Sequence, residues 1–208
     1  MKRIFDFLLA LLGLFLSFPL WLILSLTVWI EDKGPVLYSQ ARVGRDGVIF
    51  KSLKFRSMIP GAENGLGPVQ ARSNDPRVTK IGRLMRKTAM DELPQLINIL
   101  KGQMSFVGPR ALRPEEIETG YGDSDHFLSR KWSLSPKTIS IFQIPGFKAR
   151  SSVRPGLTGA AQVFASRNLT REEKFKYDLW YIDNQSFWLD IRLIANSILI
   201  TLKSGWDL

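Results

Sequence analysis

From Phe7 to Ile30 the chain carries no charged side chain, and no other stretch restricts the fold as much. As a helix rising about 1.5 Å per residue it reaches roughly 36 Å, enough for a hydrocarbon layer of about 30 Å. A cleaved signal peptide has an apolar core of only about 7–15 residues and ends in small side chains. Here the segment runs into Trp29, Ile30 and Glu31, so it is expected to stay with the protein. Pro19 falls near its middle, where it lacks an amide hydrogen and crowds the preceding turn, and Ser17 is placed to satisfy a freed backbone group. Lys2 and Arg3 precede the segment, and Lys33, Arg42 and Arg45 follow it. Basic flanks at both ends favour keeping both ends on the cytoplasmic side. A helix-break-helix that re-enters the same face satisfies that tendency; a single kinked span, which must export one basic end, is the alternative.

Residues 1–33 are therefore read as a membrane anchor and 34–208 as one cytoplasmic domain, long enough to bury a core without staples. The chain has no cysteine, which excludes disulfides and thiolate metal sites. Its one histidine, His126, cannot build a histidine-rich centre. A bound metal would need oxygen ligands, which points to Mg2+ or a similar hard cation. The formal charge of +10 calls for an anionic partner, such as lipid headgroups or phosphorylated small molecules. Basic residues are densest at Arg72, Arg77, Lys80, Arg83, Arg86 and Lys87. No recognition helix, zinc module or aromatic-lined basic groove accompanies them, so no nucleic-acid partner is expected.

The remaining periodicities give an α+β, mainly helical chain. Val36–Tyr38 and Val48–Phe55 read as short strands joined through Gly44-Arg45-Asp46-Gly47, a hairpin turn. Residues 59–77 read as loop, and a helix begins near Thr79 with Ile81, Leu84 and Met85 on its apolar face. Leu93, Leu96, Ile97 and Leu100 recur at helical spacing before Lys101-Gly102, with Asp91 as N-cap and Pro94 in the first turn. Residues 111–152 read as a polar, irregular insertion over the site. Thr170 and Glu173 form a capping box for a helix to Tyr181. The stretch from Phe187 to Leu202 aligns Ile191, Ile194, Ile198 and Leu202, either as core or, with Trp188 and Trp206, as a helix lying in the headgroup layer.

The chemistry rests on Asp91-Glu92. A helix dipole favours an ionised carboxylate at its start, and a divalent cation would relieve the repulsion between the two acids. Arg86 and Arg110 are placed to clamp a diphosphate, and an ionised Asp beside a polarised phosphorus can attack it. The plainer reading of an acidic pair at a helix start is capping and solvation. No Walker loop or Gly-x-Gly-x-x-Gly signature is present to decide between them.

Longer strings carry a resemblance. They are Lys2-Arg3-Ile4-Phe5-Asp6, Phe50-Lys51 through Lys54-Phe55-Arg56-Ser57-Met58, and Met90-Asp91-Glu92-Leu93-Pro94-Gln95-Leu96. Leu100-Lys101-Gly102 through Met104-Ser105-Phe106-Val107-Gly108-Pro109-Arg110 and Val153-Arg154-Pro155-Gly156-Leu157-Thr158-Gly159 complete the series. In these strings the chain resembles the monotopic phosphoglycosyl transferases, bacterial sugar transferases that start glycoconjugate assembly on undecaprenyl phosphate.

The resemblance implies a ping-pong reaction. Asp91 is the nucleophile on the β-phosphorus of a UDP-sugar, Glu92 is its partner, and Mg2+ is held by both. UMP leaves, and the phosphosugar passes to polyprenyl phosphate. It further implies phosphate contacts from Lys54, Arg56, Arg86, Arg110, Arg154 and Arg167, and a re-entrant anchor broken near Ser17 and Pro19 in the bacterial inner membrane. Membrane lipid is then a partner, and homodimerisation is left open. Two other classes stand beside this one: a non-catalytic anchored binding protein for anionic lipid or protein partners, and a nucleotide-sugar hydrolase.

Overall fold

The computed structural model describes residues 1–62, 75–119, 138–166 and 168–204; Arg72, His126, Arg167 and Trp206 lie outside them. Helices dominate, joined by three two-stranded sheets among the described residues. Helix α1 runs from Lys2 to Asp32. The expected helix-break-helix is a single uninterrupted helix, with Pro19 inside it. Proline removes one amide and so one rung of the hydrogen-bond ladder, while the rungs on either side remain. Ser17 Oγ does bond backbone as expected, donating to the Gly13 carbonyl at 2.6 Å.

What holds α1 is unusual for so apolar a helix: polar groups at both ends bind the same body. Near its start, the Arg3 guanidinium donates to the Ile99 and Leu100 carbonyls at 2.5 and 2.7 Å. Asp6 accepts from Ser105 Oγ and the Phe106 amide. Near its end, Glu31 accepts from the Lys80 and Ile81 amides, and Asp32 pairs with Arg56. Between these ties Ala10 packs with Leu96 and Ile99, and Leu24 and Val28 pack with Phe55 and Met85. The other faces of α1 stay bare, with Phe7, Leu11, Phe15, Phe18, Leu22 and Leu26 among the exposed side chains. By length and composition α1 could cross a membrane.

Strands β1 (Leu37–Val43) and β2 (Ile49–Phe55) form an antiparallel hairpin with Leu37 opposite Phe55 and Val43 opposite Ile49. Its turn works as read from the sequence: Asp46 sits at φ 55 and Gly47 at φ 79, in left-handed geometry that Asp and Gly tolerate best. β1 extends five residues beyond the expected Val36–Tyr38, because pairing to β2 recruits the polar Ser39–Val43 half. Helix α2 (Lys80–Lys87) begins where Thr79 accepts from the Gly82 amide. Met85 is buried in it, but Leu84, expected on the same face, is exposed.

Helix α3 (Gln95–Leu100) lies between α1 and β2, so it is buried around much of its circumference rather than along one stripe. Asn98 fastens it: its amide donates to the Lys51 carbonyl at 2.8 Å and its oxygen accepts from the Leu53 amide at 2.9 Å.

Strands β3 (Ser105–Val107) and β6 (Gly156–Thr158) pair in parallel, and their flanks cross at very short range. A Cβ on Gly108 would fall 2.3 Å from the Arg154 carbonyl oxygen, and one on Gly156 would fall 2.2 Å from the Gly108 nitrogen. Both motif glycines are therefore explained by backbone contact.

The 111–152 stretch departs from expectation. Strands β4 (Ile117–Thr119) and β5 (Thr138–Ser140) pair, and helix α4 (Phe147–Arg150) follows. Leu112, Ile141, Ile144 and Phe147 form a core cluster with Val43 and Phe175. Its described ends are thus part of the packed interior, held by apolar positions whose spacing switches too often to show a period.

Helix α5 (Ala160–Phe164) precedes α6 (Arg171–Asp183), whose Thr170–Glu173 capping box is present. Helix α7 (Phe187–Ser204) buries Leu193. The stripe read from its sequence faces outward at Ile191, Ile198 and Leu202, leaving Ile194 beside the core. The start of α7 meets the start of α1 through Lys2–Asp190 at 2.6 Å and an edge-on Phe5–Phe187 contact, which sets the two bare apolar surfaces side by side.

Replacing Asn98 with alanine strands a strand amide and a strand carbonyl away from water. We expect Asn98→Ala to lower unfolding free energy by about 2–4 kcal/mol, read from denaturant midpoints at unchanged slope.

Candidate active site

Asp91 and Glu92 reach their places through a sharp reversal. Ala89, at φ 56, ends the α2 segment, and Met90–Glu92 form one 3-10 turn before Pro94 caps α3. The sequence placed Asp91 as the N-cap of this helix; instead that position belongs to Pro94, and Asp91 sits one turn earlier. Its side chain is only 10% exposed. Asp91 therefore does not cap α3, and its anion is favoured only by Lys54, Arg86 and its own backbone amide. Burial pushes its carboxyl up to about 6, Lys54 pulls it back, and the neighbouring Glu92 raises it again. Glu92 goes the other way: burial would raise it, but Lys54, Arg110 and Arg42 together hold it below the usual carboxylate range. One acid of the pair is therefore firmly ionised and the other poised near neutrality, which suits the second for chemistry at phosphorus.

Lys54, near the end of β2, binds this pair. Its ammonium contacts Glu92 and lies 3.9 Å from Asp91. Arg86 donates through Nε to Ser57 Oγ at 2.8 Å, and its charge lowers the Asp91 pKa. Arg110 follows the glycine crossing, and its carbonyl is held at 2.8 Å by Arg150, which in turn pairs with the buried Asp178. The structure thus gathers Lys54, Arg86, Asp91, Glu92 and Arg110.

It does not gather the rest. Arg56 is buried and turned to Asp32, tying down the end of α1. Arg154 donates to the Gly102 carbonyl and lines a different cavity. Arg167 lies outside the described residues.

The cavity beside Glu92 is lined by Arg42, Lys54, Arg110, Gln95, Ser52 and Gln162 among others, and its free volume is about 20 Å3. Four of these were not singled out for the site from the sequence: Arg42, Ser52, Gln95 and Gln162. Arg42 was noted only as a charge after the anchor. Its signal was weak, since it lies in the half of β1 that reads as too polar for a strand. Burial, then Arg110 and Arg113, depress its guanidinium to about 10, so this corner holds positive charge at a cost that a bound anion would relieve.

Among the described residues no three or more His, Asp or Glu side chains gather as a metal cage. A cation here would rest on Asp91 and Glu92 and complete its shell from phosphate and water oxygens. Two carboxylates suffice for magnesium in such sites. The Lys54 ammonium lying against both shows that the spot already accommodates positive charge.

Residues 1–204 match the bacterial sugar transferase family. The chain belongs to that family. The undecaprenyl-phosphate galactose phosphotransferase of Salmonella typhimurium is 33% identical over 98% of this chain and 40% of its own length. The UDP-glucose:undecaprenyl-phosphate glucose-1-phosphate transferase of Escherichia coli is 39% identical over 93% of this chain and 38% of its own. The exopolysaccharide production protein PSS of Rhizobium leguminosarum bv. phaseoli is 33% identical over 99% of this chain and 96% of its own. This sugar transferase chain therefore spans about two fifths of the first two relatives and nearly all of the third.

The raised Asp91 pKa has a stability consequence. The folded protein binds the Asp91 proton more tightly than the unfolded chain does, so the destabilisation from its charge is absent below about pH 4 and complete above about pH 6. In metal-free protein Asp91→Asn should be more stable than the parent by on the order of 2–3 kcal/mol above pH 6. The difference should fade towards pH 4, as measured by melting temperature across pH.

Proposed function

We propose that this sugar transferase moves a sugar-1-phosphate from a UDP-sugar to a polyprenyl phosphate such as undecaprenyl phosphate, releasing UMP. One observation carries the reading: a poised carboxylate, Asp91, stands beside an ionised one, Glu92, with the charges of Lys54 and Arg86 acting on the first and those of Lys54, Arg110 and Arg42 on the second. The named activities of the undecaprenyl-phosphate relatives support it.

In this reading Lys54, Arg42, Arg86 and Arg110 draw the diphosphate against the acidic pair. An Asp91 carboxylate oxygen attacks the β-phosphorus, forming a P–O bond, while the bond from that phosphorus to the bridging oxygen breaks and UMP leaves with the electron pair. The sugar phosphate remains on Asp91. A phosphate oxygen of the lipid then attacks the same phosphorus, the bond to Asp91 breaks, and the carboxylate is restored with a diphosphate-linked sugar lipid as product. Mg2+ held by Asp91 and Glu92 would neutralise phosphate charge and polarise the P–O bonds.

For the membrane, the proposal is a monotopic arrangement at the cytoplasmic face of the bacterial inner membrane, both ends of α1 on one side. The polar ties from Arg3 and Asp6 at one end and Glu31 and Asp32 at the other support it, since a span that exported either end would break them. The bare stripe of α7 beside α1 supports an interfacial helix.

Purified protein, magnesium, a panel of UDP-sugars and undecaprenyl phosphate should yield UMP. Asp91→Asn should lose on the order of 10³-fold or more of that turnover and fail to trap a phosphosugar adduct. Release of UDP instead would refute phosphoryl transfer, and UMP release by the Asn variant at parental rate would leave a role for Asp91 untenable. Because the chain lacks cysteine, topology can be read with one reporter at a time. A cysteine added ahead of Met1 and the substitution Lys33→Cys should both react with an impermeant maleimide from the same side of oriented vesicles; reaction from opposite sides would establish a span.

A further inference from the structure

Arg154 lines a cavity of about 260 Å3 between the start of α1, strand β3 and the hairpin turn. It shares no lining residue with the catalytic cavity. The β3–β6 pair contributes to the walls of both. Among the described residues four cations face it, Lys2, Arg3, Arg45 and Arg154, against one carboxylate in the lining, Asp6. Asp6 is already committed, accepting from Ser105 Oγ and the Phe106 amide. Lys2 is paired with Asp190 and Arg45 with Asp46. The other two cations are held differently. Arg3 bonds the Ile99 and Leu100 carbonyls, and Arg154 bonds the Gly102 carbonyl through Nε at 2.7 Å. These bonds complete the carbonyl end of α3 and fix both guanidinium groups in place, but carbonyls carry no net charge to cancel theirs. Among the described residues neither forms an ion pair, and nothing bonds the Arg154 Nη atoms. Two anchored guanidinium groups facing an open cavity form a preorganised receptor for a phosphate group.

The surroundings say what carries that phosphate. On α1, Ile4, Phe7 and Leu8 are exposed directly beside Lys2, Arg3 and Asp6. On α7, Phe187 and Trp188 are exposed where Asp190 receives Lys2. A small hydrophilic anion would gain nothing from this apolar rim, whereas an amphiphile would cover it. We infer that this cavity is a second anion site, separate from the catalytic one, which takes the phosphate of an anionic membrane lipid while its acyl chains lie along the exposed faces of α1 and α7. The inference does not rest on the catalytic reading.

The test titrates dioctanoyl phosphatidic acid into the full chain in neutral detergent, with binding followed by calorimetry. Arg154→Gln should weaken binding about tenfold or more, the worth of one charge-assisted contact. Arg45→Glu, on a side chain more than half exposed, should weaken it without disturbing packing. Arg110→Gln and Asp91→Asn should bind as the parent does, so a failed UMP assay would leave this result standing. Equal binding by the parent and both arginine-site variants would overturn the site. Loss of binding in Arg110→Gln would move the lipid to the catalytic cavity, and inorganic phosphate competing at matched concentration would overturn the lipid as its source.

Discussion

The arrangement depends on a helix with a bare apolar surface being lashed to one body at both ends. A helix of this length would ordinarily be free to leave its domain, since lipid satisfies its outer side chains as well as protein does. Burying each such side chain away from water is worth about 1.5–3 kcal/mol, and that gain is available in a membrane without any docking. The ties at the two ends of α1 are polar, with apolar packing against its neighbours between them. Arg3 answers the carbonyl end of α3, Asp6 answers β3, and Glu31 answers the amide end of α2. In each case a charged side chain satisfies backbone groups that a short element leaves open. The same contacts that place the helix finish the small elements around the acidic pair.

That economy extends to the site. Strand β2 carries Lys54, α3 follows Glu92, and Asn98 locks one to the other through backbone bonds. The Gly108–Gly156 crossing then sets the direction from which Arg110 arrives. These supports act through backbone contacts, and Gly156 itself lines the cavity beside Glu92. The contrast between Asp91 and Glu92 follows from this placement: the two adjacent acids diverge because more of the surrounding positive charge faces Glu92.

Much of this is legible in the sequence. The hairpin turn announced itself through Asp46-Gly47, the α6 start through Thr170 and Glu173, and α2 through Thr79, all local signals whose physics is confined to a few residues. The acidic pair and Arg110 stood out through the motif strings. What escaped was non-local. Arg56 and Arg154 sit in matching strings like the site residues, and only tertiary packing reveals that one serves Asp32 and the other the end of α3. The core role of Ile141, Ile144 and Phe147 was hidden because a strand, a 3-10 turn and a short helix succeed one another too fast for any period to register. The spacing that makes Asp91 a capping candidate fits equally well one turn later, where Pro94 takes the position.

The cavity beside Glu92 has room for little more than one water, about 20 Å3. In the proposed reaction a phosphorylated sugar entering that space would meet Lys54, Arg42 and Arg110 in its lining, with Lys54 already held by Glu92. Its phosphates would then compete with Glu92 for the Lys54 ammonium. Measured affinity for such a donor would report the difference between two sets of ion contacts rather than the strength of either. Solvent, meanwhile, meets an acidic pair with its countercharge already in place.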